Sequence, residues 1–245
     1  MAFTSDLSID ELLLVEEVGF EPIELVLGGA YFHIGWSYAP WSTSMELSQI
    51  SALMLNARRT ATQRMVAHAA QLGADGVVGM RLDVHREGHN AEFSAIGTAV
   101  RRREKDGARW RDGYGQPFTC ALSGEDFWAL VRGGFRPVGM IHGVCVYHVA
   151  HQGLGQWLSS AGKNMEQEQF TQALYDAREL AMERLQSDAA RAGATGVVGV
   201  ELREGSHAWG SHILEFVAVG TAVVPIPDAT HEVHAPPELV IFAQD

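Results

Sequence analysis

The residues in this chain best suited to chemistry are its 11 histidines, because neutral imidazole is a common ligand for borderline metals and titrates near neutral pH. His33 and His148 end two similar apolar stretches and are candidate metal ligands. Repeated in the copies of an assembly, they could gather where a divalent metal ion or an anion could sit. The plainer alternative is a strand-end histidine bonded to a local carbonyl. His85 and His89 are placed in one hairpin loop, and His207 and His212 in a second. Such pairs could clasp a metal, although no cysteine or regular element fixes their geometry, and a polar loop explains them equally. His231 and His234 are three apart and do not make the helical His-Glu-x-x-His zinc pattern.

Other reactive types are sparse. Cys145, between Val144 and Val146, reads as a small buried hydrophobe. Cys120 is expected to be partly exposed, with no neighbouring His or Lys to activate it. Glu92 and Glu215 occupy matching places, as do Arg64 and Arg184, which suggests a surface Glu–Arg bridge from strand to helix worth about 0–1 kcal/mol. No nucleophile–base pair or acid pair recurs, so no enzymatic activity is expected. The Gly76–Gly79 run and its twin Gly196–Gly199 lack the Lys-Ser/Thr of a phosphate loop, and their glycines are expected to allow close packing under a helix.

These residues are set in a repeat. Gly73-Ala74-Asp75-Gly76-Val77-Val78-Gly79 matches Gly193-Ala194-Thr195-Gly196-Val197-Val198-Gly199. Glu92-Phe93 and Gly97-Thr98-Ala99-Val100 match Glu215-Phe216 and Gly220-Thr221-Ala222-Val223, while Phe20, Pro22, Gly28 and His33 match Phe135, Pro137, Gly143 and His148. The spacing changes between His33 and Ala57 and again between Leu82 and Glu92, so insertions fall there, as they do in surface loops.

Each copy begins with a short helix capped by Ser8 or Ser123, with an acid three residues on (Glu11, Asp126), and ends it at glycine. A strand follows, about 23–34 and 138–150, in which Gly28 and Gly143 suggest a bulge or bend. A long helix follows, about 44–72 and 163–192, with the apolar stripe Ile50, Met54, Ala57, Ala61, Met65, Ala69 matched by Phe170, Leu174, Ala177, Ala181, Leu185, Ala189. Two strands joined as a hairpin close the unit. The fold class expected is α+β: two tandem β-α-β-β units, each a three-stranded antiparallel sheet under one long helix, with a short helix before it. The units span 1–103 and 118–226, joined by a linker at 104–117 and followed by a tail at 227–245. The linker region is rich in arginine (Arg101, Arg102, Arg103, Arg109, Arg111) and is expected to be a solvated hinge. Leu239–Phe242 in the tail suggest docking on a sheet edge of this chain or a neighbour. A three-stranded unit with open edges is marginal alone, so association is expected.

The chain of 245 residues is 47% hydrophobic and carries a formal charge of −12. An acidic surface repels phosphate backbones, so nucleic acid is not expected as a partner. No apolar run reaches the length of a membrane span, and no leader pattern is visible, so a cytoplasmic location is expected.

The run Gly-Ala-x-Gly-Val-Val-Gly, followed by Glu-Phe-x-Ala-x-Gly-Thr-Ala-Val, resembles the YbjQ family, labelled a heavy-metal-binding domain, and each unit resembles one full copy. The resemblance implies a dodecin-like β-α-β-β fold, rings of five chains, and binding of a small ligand or a divalent metal. Five chains could then stack a ring of first units on a ring of second units. The alternative is a structural, scaffolding oligomer without a small ligand.

Overall fold

A computed structural model describes residues 4–34, 43–150, 168–206 and 213–227. The first half contains α1 (Ile9–Glu17), β1 (Phe20–His33), β2 (Met45–Glu46), α2 (Ser48–Gln71), β3 (Gly76–Glu87) and β4 (Asn90–Arg102). The second contains β5 (Phe118–Thr119), α3 (Gly124–Arg132), β6 (Phe135–His148), α4 (Glu168–Arg191), β7 (Gly196–Ser206) and β8 (Ile213–Pro225). The mixed α+β class and the recurring element order are as the repeat implies.

Local chemistry accounts for the ends. Ser8 accepts from the Glu11 amide, and the Glu11 carboxylate accepts from the Ser8 amide, which makes a full capping box. The Ser8 and Gly124 amides hold the Glu11 carboxyl below its usual range, against a smaller opposing effect of burial. At the other end of α1, Gly19 takes the left-handed conformation, with φ +86°.

The sheets differ from the three-stranded expectation. One runs β1-β4-β3-β5 and the other β2-β6-β8-β7. Three antiparallel strands of each come from one half. The fourth is a two-residue strand from the other half: β5 lies parallel to β3, and β2 lies antiparallel to β6. The halves are therefore laced together by backbone hydrogen bonds, which cover edges that would otherwise be bare. The segment read as the start of the first long helix is β2, so α2 begins at Ser48.

The glycines of β1 and β6 are not bulges. The register shifts lie at Pro22/Glu24 and Pro137/Gly139. A Cβ on Gly28 would lie 2.3 Å from the Ala61 carbonyl, and one on Gly143 would lie 1.8 Å from that of Ala181. Each glycine lets a helix rest on its strand, and the alanine stripe completes the close approach. The helix-packing role expected of Gly76 and Gly79 is not theirs. Gly76 faces the Phe118 ring, and Gly79, at φ +66°, sits in the register shift of β3.

The helices differ in their surroundings. α4 covers one face of the second sheet, through Ala177, Ala181 and Leu185 against Cys145 and Phe216. α2 covers the first sheet through Ala57, Ala61 and Met65, and its other side meets Val144, Val146 and Val217 of the second sheet. The layers thus run first sheet, α2, second sheet, α4.

The linker is docked rather than a free hinge. Trp110 is buried against Phe20, with ring centroids 4.8 Å apart, and the Arg102 guanidinium lies over both rings. Arg101 donates to the Leu72 and Gly73 carbonyls, Arg103 pairs with Glu16, and Arg111 pairs with Asp75. Much of the basic cluster is therefore engaged in holding this segment to the first half. The Leu239–Phe242 run lies outside the described residues.

Candidate functional site: a cleft between the two sheets

The layering brings β3 of the first sheet beside β7 and β8 of the second, with α2 behind them. Between them lies a cleft of about 310 Å³, lined by side chains that include Arg58, Leu82, Arg86, His142, Arg203 and Glu215. Arg58 projects from the side of α2 facing the second sheet, and its guanidinium bonds Glu215 at 3.1 Å, with 5% and 3% of the two side chains exposed. Arg86, at the end of β3, also pairs with Glu215. One carboxylate thus holds two guanidiniums, one from α2 and one from the end of β3. The pairing is supported by the Met54 carbonyl, which accepts a second bond from Arg58, and by the Phe93 ring, over which the guanidinium lies at 5.4 Å. Burial lowers the Arg58 pKa against the opposing pull of Glu215.

His142 is 3% exposed and lines the same cleft. Burial pushes its pKa down to about 4, helped by the nearby positive charge of Arg58, so the ring is neutral at pH 7. Its Nε2 has no hydrogen-bond partner among the described residues, and neither does Nε of Arg86. A buried polar nitrogen without a partner costs about 1–3 kcal/mol. Two such atoms around one cleft mark a place where a small polar molecule could repay that cost.

The expected site residues fall elsewhere. His33, exposed on the outer face of the first sheet, has Nδ1 3.0 Å from the Asn90 side-chain oxygen, and its ring lies 6.2 Å from that of His89. His148 is buried, with Nδ1 3.1 Å from the Thr43 carbonyl. Within one chain His33 and His148 thus have different neighbours. His85 lies in β3 rather than in a loop, because β3 extends to Glu87, and only His89 sits in the turn. His207, His212, His231 and His234 lie outside the described residues.

The strand-to-helix Glu–Arg bridges do not form. Arg184 pairs with Glu46 of β2, Arg64 donates to the Gly29 carbonyl, and Glu215 is taken by Arg58 and Arg86. The reason is geometric: Arg64 and Arg184 lie near their own first strands, whereas Glu215 points at the opposite half. Cys120 is fully buried rather than partly exposed, and burial pushes both cysteines up to about 12. They remain thiols, and it is the thiolate that binds metals. Among the described residues no three His, Cys, Asp or Glu side chains gather as a metal site would require. The cleft's lining sets three arginines (Arg58, Arg86, Arg203) against three carboxylates (Asp83, Glu204, Glu215), and its partnerless nitrogens suit a small polar molecule.

A family described as "Putative heavy-metal-binding", YbjQ, matches residues 43–103 and 139–225. The chain is 48% identical to a Mycobacterium tuberculosis protein named encapsulin nanocompartment protein Rv1762c, over 91% of this chain and 86% of that one. It is also 43% identical over 63 residues to a UPF0145 protein of Pyrococcus abyssi, covering 24% of this chain and 55% of that relative. The chain belongs to the YbjQ family and carries it in two segments.

Proposed function

We propose, from this family membership and from the cleft, that the chain is a self-associating small-ligand-binding protein rather than an enzyme, and that its ligand sits between the two sheets. The observation that carries this is the pair of partnerless nitrogens, Nε2 of His142 and Nε of Arg86, around one arginine-lined cleft. A small polar molecule with an acceptor for the Arg86 Nε–H suits the volume and these two nitrogens, and small oxyanions are its simplest probes. Its similarity to an encapsulin nanocompartment protein supports a role as a nanocompartment protein, in the cytoplasm, acting as part of an assembly. Rings of five chains, with dodecin-like β-α-β-β units at 1–103 and 118–226, remain the arrangement the family resemblance suggests.

A divalent metal, the other ligand the family label suggests, would need donors gathered from several chains, such as copies of His33 around an axis. Isothermal titration calorimetry on the full chain separates the readings. Binding of inorganic phosphate or small dicarboxylates that weakens at least tenfold in Arg86→Gln supports the cleft. Heat with Zn²⁺, Ni²⁺ or Cu²⁺ that is lost in His33→Ala supports the metal. Silence with every probe favours a second reading, a structural scaffold without a ligand. That reading draws on the closure of the Arg58–Glu215–Arg86 triad without outside help.

A further inference from the structure

The two long helices carry the same residue types on the same faces, but only one helix uses both faces. On the side of α2 turned to the second sheet stand Ser51 and Arg58, both buried. Ser51 Oγ accepts the Val146 amide at 2.8 Å, and Arg58 takes Glu215. In α4 the same positions hold Thr171 and Arg178, a hydroxyl for a hydroxyl and an arginine for an arginine. Among the described residues, no sheet lies over that side of α4. Tyr175, beside them, is 61% exposed, Arg178 is exposed, and Arg178 has no hydrogen bond or ion pair among the described residues.

The first sheet shows the complementary deficit. Its outer face presents Leu27, Tyr31 and Glu92, which occupy the places of His142, Val146 and Glu215. The second-sheet residues are buried under α2, whereas Leu27 is 61% and Tyr31 64% exposed, and Glu92 is exposed with no ion-pair partner among the described residues. The strand edges repeat the pattern. β3 is covered by β5 from the following half and is buried from Gly76 to Val78, while the matching stretch of β7 is uncovered, with Gly196, Gly199 and Val200 exposed. Among the described residues, the Arg58 surface that α2 gives to the second sheet has its counterpart at Arg178 of α4, where it is exposed. The second-sheet face that covers α2 has its counterpart on the outer face of the first sheet, where Leu27, Tyr31 and Glu92 are exposed.

We propose that a second copy of this chain fills these surfaces: the outer side of α4 docks on the outer face of the partner's first sheet, and Arg178 pairs with Glu92 of the partner subunit as Arg58 pairs with Glu215 within the chain. This rests on the self-association reading above and is independent of the ligand. The contact is heterologous, so it propagates head to tail until a ring closes. First and second halves then alternate around one ring instead of forming two stacked rings. The occupant is fixed by charge and by continuity with the within-chain interface. A basic side chain faces outward on α4, an acidic one faces outward on the first sheet, and the chain already contains the finished version of their contact.

Sedimentation velocity and native mass spectrometry of the full chain, with far-UV circular dichroism as the folding control, test this. The wild type is expected to exceed the 26.7 kDa of one chain. Arg178→Glu and Glu92→Arg each face solvent in the single chain, so each should leave the dichroism unchanged while raising the dissociation constant at least about 100-fold, the scale of stranding one charge of a buried pair. The double variant Arg178→Glu/Glu92→Arg should restore the wild-type mass. Single variants that keep that mass, or a double variant that does not recover it, overturn the interface while leaving self-association standing. A monomeric wild type overturns both.

Discussion

Glu215 and Glu92 begin equivalent strands in equivalent sheets, yet one is buried beneath two arginines and the other stands in solvent. The same holds for Arg58 and Arg178, and for β3 and β7. Sequence repeats the interaction, and position in the layered order decides whether it is made. The first half's helix lies between two sheets. The second half's helix lies at the end of the stack. Burial in this chain is therefore a property of which neighbour is present rather than of the unit itself, and the energetics of matching residues should diverge accordingly.

The largest divergence is expected at the acids. Glu215→Ala strands the Arg58 guanidinium, of which 5% is exposed, and removing one partner of a buried pair costs about 3–5 kcal/mol. Glu92→Ala removes an exposed carboxylate and should change the stability of the separated chain by less than about 0.5 kcal/mol. Urea unfolding at protein concentrations low enough to keep chains apart measures both. Similar losses at the two positions would break the comparison.

A second divergence is titratable. His142 occupies the place held by Leu27 in the first half. Its pKa, near 6.5 in the unfolded chain, falls to about 4 on folding through burial and the charge of Arg58. The folded state therefore keeps the ring neutral while the unfolded chain takes up the proton. The contribution to stability is fully present above about pH 6.5 and is lost as pH falls through about 4, a total of roughly 3 kcal/mol. His142→Leu, which copies the first half, should flatten the stability profile between pH 7 and 4.5. An unchanged slope would mean that the acid sensitivity arises elsewhere.

How much of this was legible depended on whether the signal was local. The helix faces that meet their own sheets announce themselves by period, because Met54, Ala57, Ala61 and Met65 recur at three and four residues and match Leu174, Ala177, Ala181 and Leu185. The second face of α2 does not. Ser51 and Arg58 are polar, and polar residues beside an apolar stripe read as its solvated border. What buries them is a sheet whose Glu215 lies 157 positions away from Arg58. The interleaved strands were hidden for a different reason: two residues carry no periodicity. His142 breaks the repeat, and the histidines that obey it, His33 and His148, carry the stronger sequence signal. The useful signal was the opposite one, a titratable group in an apolar strand where the other copy has leucine. Gly28 and Gly143 are visible in the sequence but their cause is not, since a glycine that admits a helix and one that admits a bulge look alike until the helix is in place.

The strand edges give the finest test of the comparison. A Cβ on Gly76 would fall 2.1 Å from the Phe118 ring, so Gly76→Ala must push β5 from the edge of β3 and should cost about 1–3 kcal/mol, the usual range for overpacking. On Gly196 the nearest atom is 3.6 Å away, at Val223, so Gly196→Ala meets only ordinary contact and should stay within about 0.5 kcal/mol in the separated chain. Thermal unfolding of the two variants reads the difference directly. It also distinguishes an edge that is covered within the chain from one that awaits a partner. If another copy covers β7 as β5 covers β3, Gly196→Ala should weaken assembly while sparing the fold, and Gly76→Ala should damage the fold first. Equal thermal losses would mean that the two edges are not in different states, and the layered order would then not account for their behaviour.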